Sequence, residues 1–210
     1  MSDHPLEAAG GVIANVVVAE AARTGREGVV LASPPGPLAE LLRRWLAPFL
    51  RVHAPEAGAV ADVAGALAAA GAPGYLVEAL AWRSVAEALG AAERLLPVGC
   101  TSKTELLLDP GPLPARVLPL GDLWASVLAA QLGRVPLPPV LAYATAEEVS
   151  AVDAALAAYL EQGVSPDEAF GALGPLAAPV RGALDAAQTR RRGLVVPKLT
   201  AWAVGSDLAR

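Results

Sequence analysis

The sequence predicts an α/β protein: a sheet flanked by helices in a three-layer-like arrangement, with a C-terminal three-helix extension. Three observations carry this prediction. Short apolar runs alternate with longer stretches of helical spacing up to about residue 140, the pattern of βαβ units. Two capping signatures, Thr145 to Glu148 and Ser165 to Glu168, each open a helix beyond a proline cluster. A last apolar run, Leu194 to Val196, reads as a strand returning to the sheet. The implied division is an α/β domain over 1–140, a helical extension over 141–193, and a strand and tail of the α/β domain over 194–210.

The elements follow in order. Leu6, Ala9, Val12, Ile13, Val16 and Val17 have helical spacing, and Gly25 is a C-terminal stop. Val29 to Ala32 is a buried strand. Ser33-Pro34-Pro35-Gly36 breaks it, and Pro37 suits the first position of a helix running to Leu50. Arg51 to Ala54 is a second strand, and Val60 to Ala70 a helix of small residues ending at the turn 71–74. Tyr75 to Leu80 reads as a third strand, Arg83 to Ala92 as a helix, and Leu95 to Val98 as another strand. Glu105 to Leu108 and Ala115 to Leu118 flank a Pro-Gly loop and predict a hairpin. Asp122 is placed as the N-cap of a helix that stops at Gly133. Three helices follow, ending at Gly163, near Gly174 and at Gly193, with Arg190 to Arg192 complementing the dipole of the last.

Composition excludes several classes. With 54% hydrophobic and 18% charged residues the chain is a globule, not a disordered segment. Aromatics are only 4%, so the core is built from small side chains and helices approach closely. A net charge of −5, with no basic run longer than Arg190 to Arg192, argues against a nucleic-acid partner, which needs a phosphate-neutralising face. The longest uncharged stretch lies between Asp62 and Glu78; it is too short for a membrane span and is broken by glycines and Pro73. The N-terminal residues lack the basic region of a secretory signal, and one cysteine cannot form an internal disulfide. The expectation is a cytoplasmic protein with no membrane partner.

Chemistry concentrates in Gly99-Cys100-Thr101-Ser102-Lys103-Thr104-Glu105. The stretch holds the single cysteine and one of two lysines in a chain that otherwise uses arginine. It is not a P-loop, because Ser102 and Pro97 stand where that cradle needs glycine. Hydroxyls, amides and a lysine beyond a strand end still suit a phosphate or carboxylate. The Ser33 to Gly36 turn occupies the equivalent position after the first strand, where α/β proteins bind ligands. Cys100 reads more readily as a buried small hydrophobe than as a nucleophile. His53, Glu56 and Asp62 do not make a zinc set, so no metal is expected. The helix expected from Pro166 to Leu173 carries Asp167 and Glu168 and no basic residue, which argues against a helix that reads DNA.

The expected function is binding, with turnover left open, of a small anionic metabolite, phosphorylated or carboxylated, at the sheet end. Lys103 and Asp122 are the candidate catalytic residues. Ser33, Gly36, Thr101, Ser102, Thr104 and Lys198 are the candidate ligand contacts. No cofactor is specified. The alternative is a non-catalytic, homo-oligomeric interaction protein using its alanine- and leucine-rich helices; self-association is expected in either case.

Overall fold

A computed structural model describes residues 5–188 and 194–196. The chain is α/β and divides into two compact units. One comprises residues up to Thr101 together with Gly111–Pro119; the other comprises Ser102–Pro110 and the chain from Leu120 onward.

The first unit opens with α1 (Pro5–Arg23), followed by β1 (Gly28–Leu31), α2 (Pro37–Leu46), β2 (Arg51–His53), α3 (Ala57–Ala69), α4 (Gly74–Ala92) and β3 (Leu95–Val98). The strands are parallel in the order β2-β1-β3. All four residues of β1 are buried, as a central parallel strand requires. Gly28 faces Arg51 across the pair, and a Cβ there would lie 2.6 Å from the Arg51 carbonyl oxygen. The strands meet at a spacing that only glycine permits at this point. Gly25 adopts φ 66, the left-handed stop expected after α1. In α2, Leu38, Leu41, Leu42, Trp45 and Leu46 form one buried stripe. Val30, Ala32, Leu95, Ala86 and Ala115 make a core cluster across strand, helix and loop.

The strand expected over Tyr75 to Leu80 is instead the first half of α4. Ala81, Trp82 and Val85 pack against Val60 of α3 while Ala86 packs against the strands, and that packing overrides the local β-propensity of Tyr75 and Val77. The expected hairpin is also absent. Residues 115–118 meet β3 through one parallel bridge, Val98 to Val117, while Glu105 to Leu108 is helical. The helix beginning at Pro37 stops at Leu46, leaving Phe49 61% exposed.

The second unit contains α5 (Lys103–Leu108), α6 (Ala125–Leu132), α7 (Ala146–Glu161), α8 (Pro166–Gly171) and α9 (Ala177–Ala187). It takes in α5 and α6 as well as the expected C-terminal helices, because α5 packs on α9 and α6 on α7. Its core includes Leu106, Leu128, Leu156, Phe170, Val180 and Leu184. Thr145 and Glu148 form the full reciprocal capping box. Ser165 accepts from the Glu168 amide at 3.3 Å, with Pro166 inside the first turn. Gly133 ends α6 at φ 80. Asp122 is not the cap of α6; Trp124 occupies that position without a side-chain bond. Val195 makes a single bridge in place of the expected strand over Leu194 to Val196. Arg190 to Arg192 and Lys198 lie outside the described residues.

Candidate functional site

The parallel order β2-β1-β3 makes the carboxyl ends of β1 and β3 a topological switch point. Connections leave β1 toward one side and arrive at β3 on the other, so the two following loops flank a common edge. The loop after β1 is Ala32 to Gly36, and the loop after β3 begins Gly99-Cys100-Thr101. These are the two stretches singled out in the sequence.

They are joined directly. The Ala32 amide donates to the Val98 carbonyl at 2.8 Å, extending the ladder by one bond. The Cys100 amide donates to Ser33 Oγ at 3.0 Å. Cys100 is buried and in no disulfide, 7% exposed, and Thr101 is 8% exposed. Gly36 caps α2 in fully extended backbone, φ 170, with no side-chain bond to the first turn. A Cβ placed on Gly36 meets nothing within 4 Å, so its backbone borders open space. Pro37 has no N–H, which leaves the amides of Leu38 and Ala39 as the first-turn donors before Glu40 N bonds back to Gly36 O.

Ser102, Lys103, Thr104 and Asp122 belong to the second unit, and there they build a buried polar network. Ser102 caps α5: its Oγ accepts from the Glu105 amide, and Glu105 Oε2 accepts from the Ser102 amide at 3.0 Å. Lys103 is 1% exposed. Its ammonium donates to Asp122 Oδ1 at 2.8 Å and to Glu161 Oε1 at 2.7 Å, and it lies 4.8 Å from the centre of the Trp124 ring. The Asp122 side chain is 0% exposed and that of Glu161 20%. One formal positive charge thus faces two formal negative ones, which is the pairing a buried charge requires.

Thr104 serves a different helix. Its hydroxyl donates to Asp153 Oδ1 at 2.6 Å and accepts from the Ala125 amide at 2.9 Å. Asp153 Oδ2 accepts from the Ser126 amide at 2.9 Å. Trp124 has no oxygen with which to cap α6, so Thr104 and Asp153 satisfy its first amides from α5 and α7. Burial pushes the Asp153 carboxyl above the usual carboxylate range, against the opposing effect of its hydrogen bonds from Thr104 and Ser126.

The structure thus brings Ser33 and Cys100 together and sets Gly36 beside open space. It gives Ser102, Lys103, Thr104 and Asp122 partners inside the second unit. Two members of that network, Asp153 and Glu161, are not apparent in the sequence, since they lie 49 and 58 positions from the residues they bind. His53 Nδ1 is 3.7 Å from Glu93. Among the described residues no group of three His, Cys, Asp or Glu is arranged to hold a metal ion, and no helix is long and apolar enough to cross a membrane. No family model matches the chain, and the searches of curated proteins and of solved structures found no match.

Proposed function

We propose that the chain is a cytoplasmic α/β protein, its sheet covered by helices on both faces, that binds a small anionic metabolite at the carboxyl ends of β1 and β3. The observation that carries the reading is the linked pair of loops at the switch point, Cys100 N to Ser33 Oγ, beside the open space over Gly36. The ligand's phosphate or carboxylate would accept from the Leu38 and Ala39 amides at the start of α2. Ser33 and Thr101 supply hydroxyls at the same edge of the unit. Lys103 and Asp122 enter this reading as supports of the second unit. An ammonium held between two carboxylates offers an incoming anion no net positive charge.

The test is a thermal-shift panel of inorganic phosphate, sugar phosphates and small carboxylates against wild type and Gly36→Val. Extended backbone at residue 36 accepts valine, and the added atoms fill only the open space. A compound at a hundredfold excess over its dissociation constant stabilises the wild type by about 2.7 kcal/mol. The reading predicts that Gly36→Val folds normally and loses that shift. A panel without any shift, or one in which both proteins shift equally, counts against it.

A second reading, a homo-oligomeric interaction protein, is favoured by α3. Of its 13 residues only Val60 is buried, and Asp62 is its single charge. Such a small-residue face with a single charge suits close contact with another helix. Light scattering on the wild type and Gly65→Arg tests it: a dimer that the arginine dissociates supports this reading, and a wild-type monomer removes it.

A further inference from the structure

The strands' amino ends carry an open surface groove of about 590 Å³ in the same unit. Glu27, Arg43, Phe49, Leu50, Arg51 and Val52 line it. Phe49, one of two phenylalanines in the chain, is 61% exposed here. An exposed ring between arginines has the composition of an interface centre, where aromatic side chains and arginine are enriched. Cations outnumber anions in the groove's lining, where Arg43 and Arg51 accompany Glu27, and Arg94 lies beside it. Glu27 is shared by Arg51 at 3.4 Å and Arg94 at 3.3 Å, so two guanidiniums face one carboxylate. Arg43 reaches Glu40 only at 3.6 Å. Exposed pairs of this kind contribute little and exchange readily for another carboxylate.

The groove adjoins the sheet edge. Among the described residues β2 pairs with β1 alone, so the outer side of Arg51–His53 presents the backbone groups of an edge strand. We propose that this edge docks an extended acidic segment of a partner protein, added as a strand to β2. Its carboxylates would face Arg43 and Arg51, and an apolar side chain would rest on Phe49. Backbone pairing supplies affinity in this mode and side-chain pockets supply selectivity. A second copy of the chain fits less well. Pairing β2 with itself brings the same arginines from both copies to one groove, and like charges across an interface are unfavourable.

The experiment is selection of a displayed library of random decapeptides against the full-length chain, followed by anisotropy with the enriched sequences. The proposal predicts peptides rich in Asp and Glu whose affinity falls roughly tenfold or more for Phe49→Ala and for Arg43→Glu/Arg51→Glu. All three positions are surface side chains, and circular dichroism verifies that the variants are folded. Strand addition also predicts that N-methylating alternate peptide amides abolishes binding in one register and spares it in the other, because every second amide faces the partner strand. The proposal is overturned by a selection that yields no binder or no acidic preference. Equal binding to the variants, or N-methylation without alternation, also overturns it.

Discussion

Replacing Lys103 with alanine separates a structural ammonium from a solvated one. Its Nζ lies 2.8 Å from Asp122 and 2.7 Å from Glu161, and the residue is 1% exposed. Alanine leaves the fully buried Asp122 carboxylate without this cation and empties the volume of the lysine stem. Removing one partner of a buried pair costs about 3–5 kcal/mol. Lys103→Met keeps most of the stem, so the difference between the two variants isolates packing from charge. The double variant Lys103→Met/Asp122→Leu removes both buried charges, leaving Glu161, whose side chain is 20% exposed, to turn to water. Apolar replacement of a whole buried pair is often neutral or stabilising, so the double variant should be more stable than Lys103→Met alone. Urea denaturation followed by far-UV circular dichroism reads these differences. Trp124 fluorescence, isolated by comparison with Trp124→Phe, reports on the second unit directly, since its ring lies 4.8 Å from the ammonium. A cost below about 1 kcal/mol for Lys103→Ala, the range of an exposed pair, would refute the reasoning. So would a double variant no more stable than Lys103→Met.

Three further outcomes follow from the same packing. Because burial raises the Asp153 carboxyl in the folded state, the folded chain holds a proton that the unfolded chain releases; this contribution is complete below the ordinary aspartate range and is lost as pH rises through the raised value. Urea midpoints measured from pH 4 upward should therefore show the wild type losing stability relative to Asp153→Asn as pH rises, and the opposite slope would contradict the assignment. Gly10→Ala places a Cβ 2.6 Å from Trp45 Nε1, a buried N–H with no hydrogen-bond partner among the described residues, so overpacking of about 1–3 kcal/mol should outweigh the roughly 1 kcal/mol gained from helix propensity; thermal melts of Gly10→Ala with and without Trp45→Phe should show part of the loss recovered. Thr145→Ala removes the acceptor for the Glu148 amide at 3.2 Å and should cost about 1 kcal/mol, measured by urea denaturation.

The parts of the fold legible in the sequence are those set by local signals. The apolar run Val29 to Ala32, set between Gly28 and a proline turn, is too short for a helix and marks β1. Pro37 and the Thr145–Glu148 box announce their helices through chain chemistry within a few residues. Tyr75 to Leu80 and Glu105 to Leu108 were ambiguous, because a short apolar run has the same composition in a buried strand and a buried helix. For the latter, Ser102 and Glu105 stand three apart, the signature of a capping box, and that spacing alone identifies a helix start. Asp122 fitted an N-cap locally, yet its partner Lys103 lies 19 positions earlier. Asp153 and Glu161 offered no sign at all, since each is one more acidic residue along α7 until the helices pack. The two loops are legible from their position after apolar runs, but the hydrogen bond linking them, across 67 residues of sequence, depends on strand order.

The most direct measurement is a ¹⁵N–¹H amide map of the full chain titrated with inorganic phosphate and with small carboxylates. Binding at the switch point predicts saturable shifts at Ser33, Leu38, Ala39, Cys100 and Thr101, absent in Gly36→Val. Shifts that never saturate, or that cluster away from the loops after β1 and β3, would contradict a ligand site at the end of this sheet.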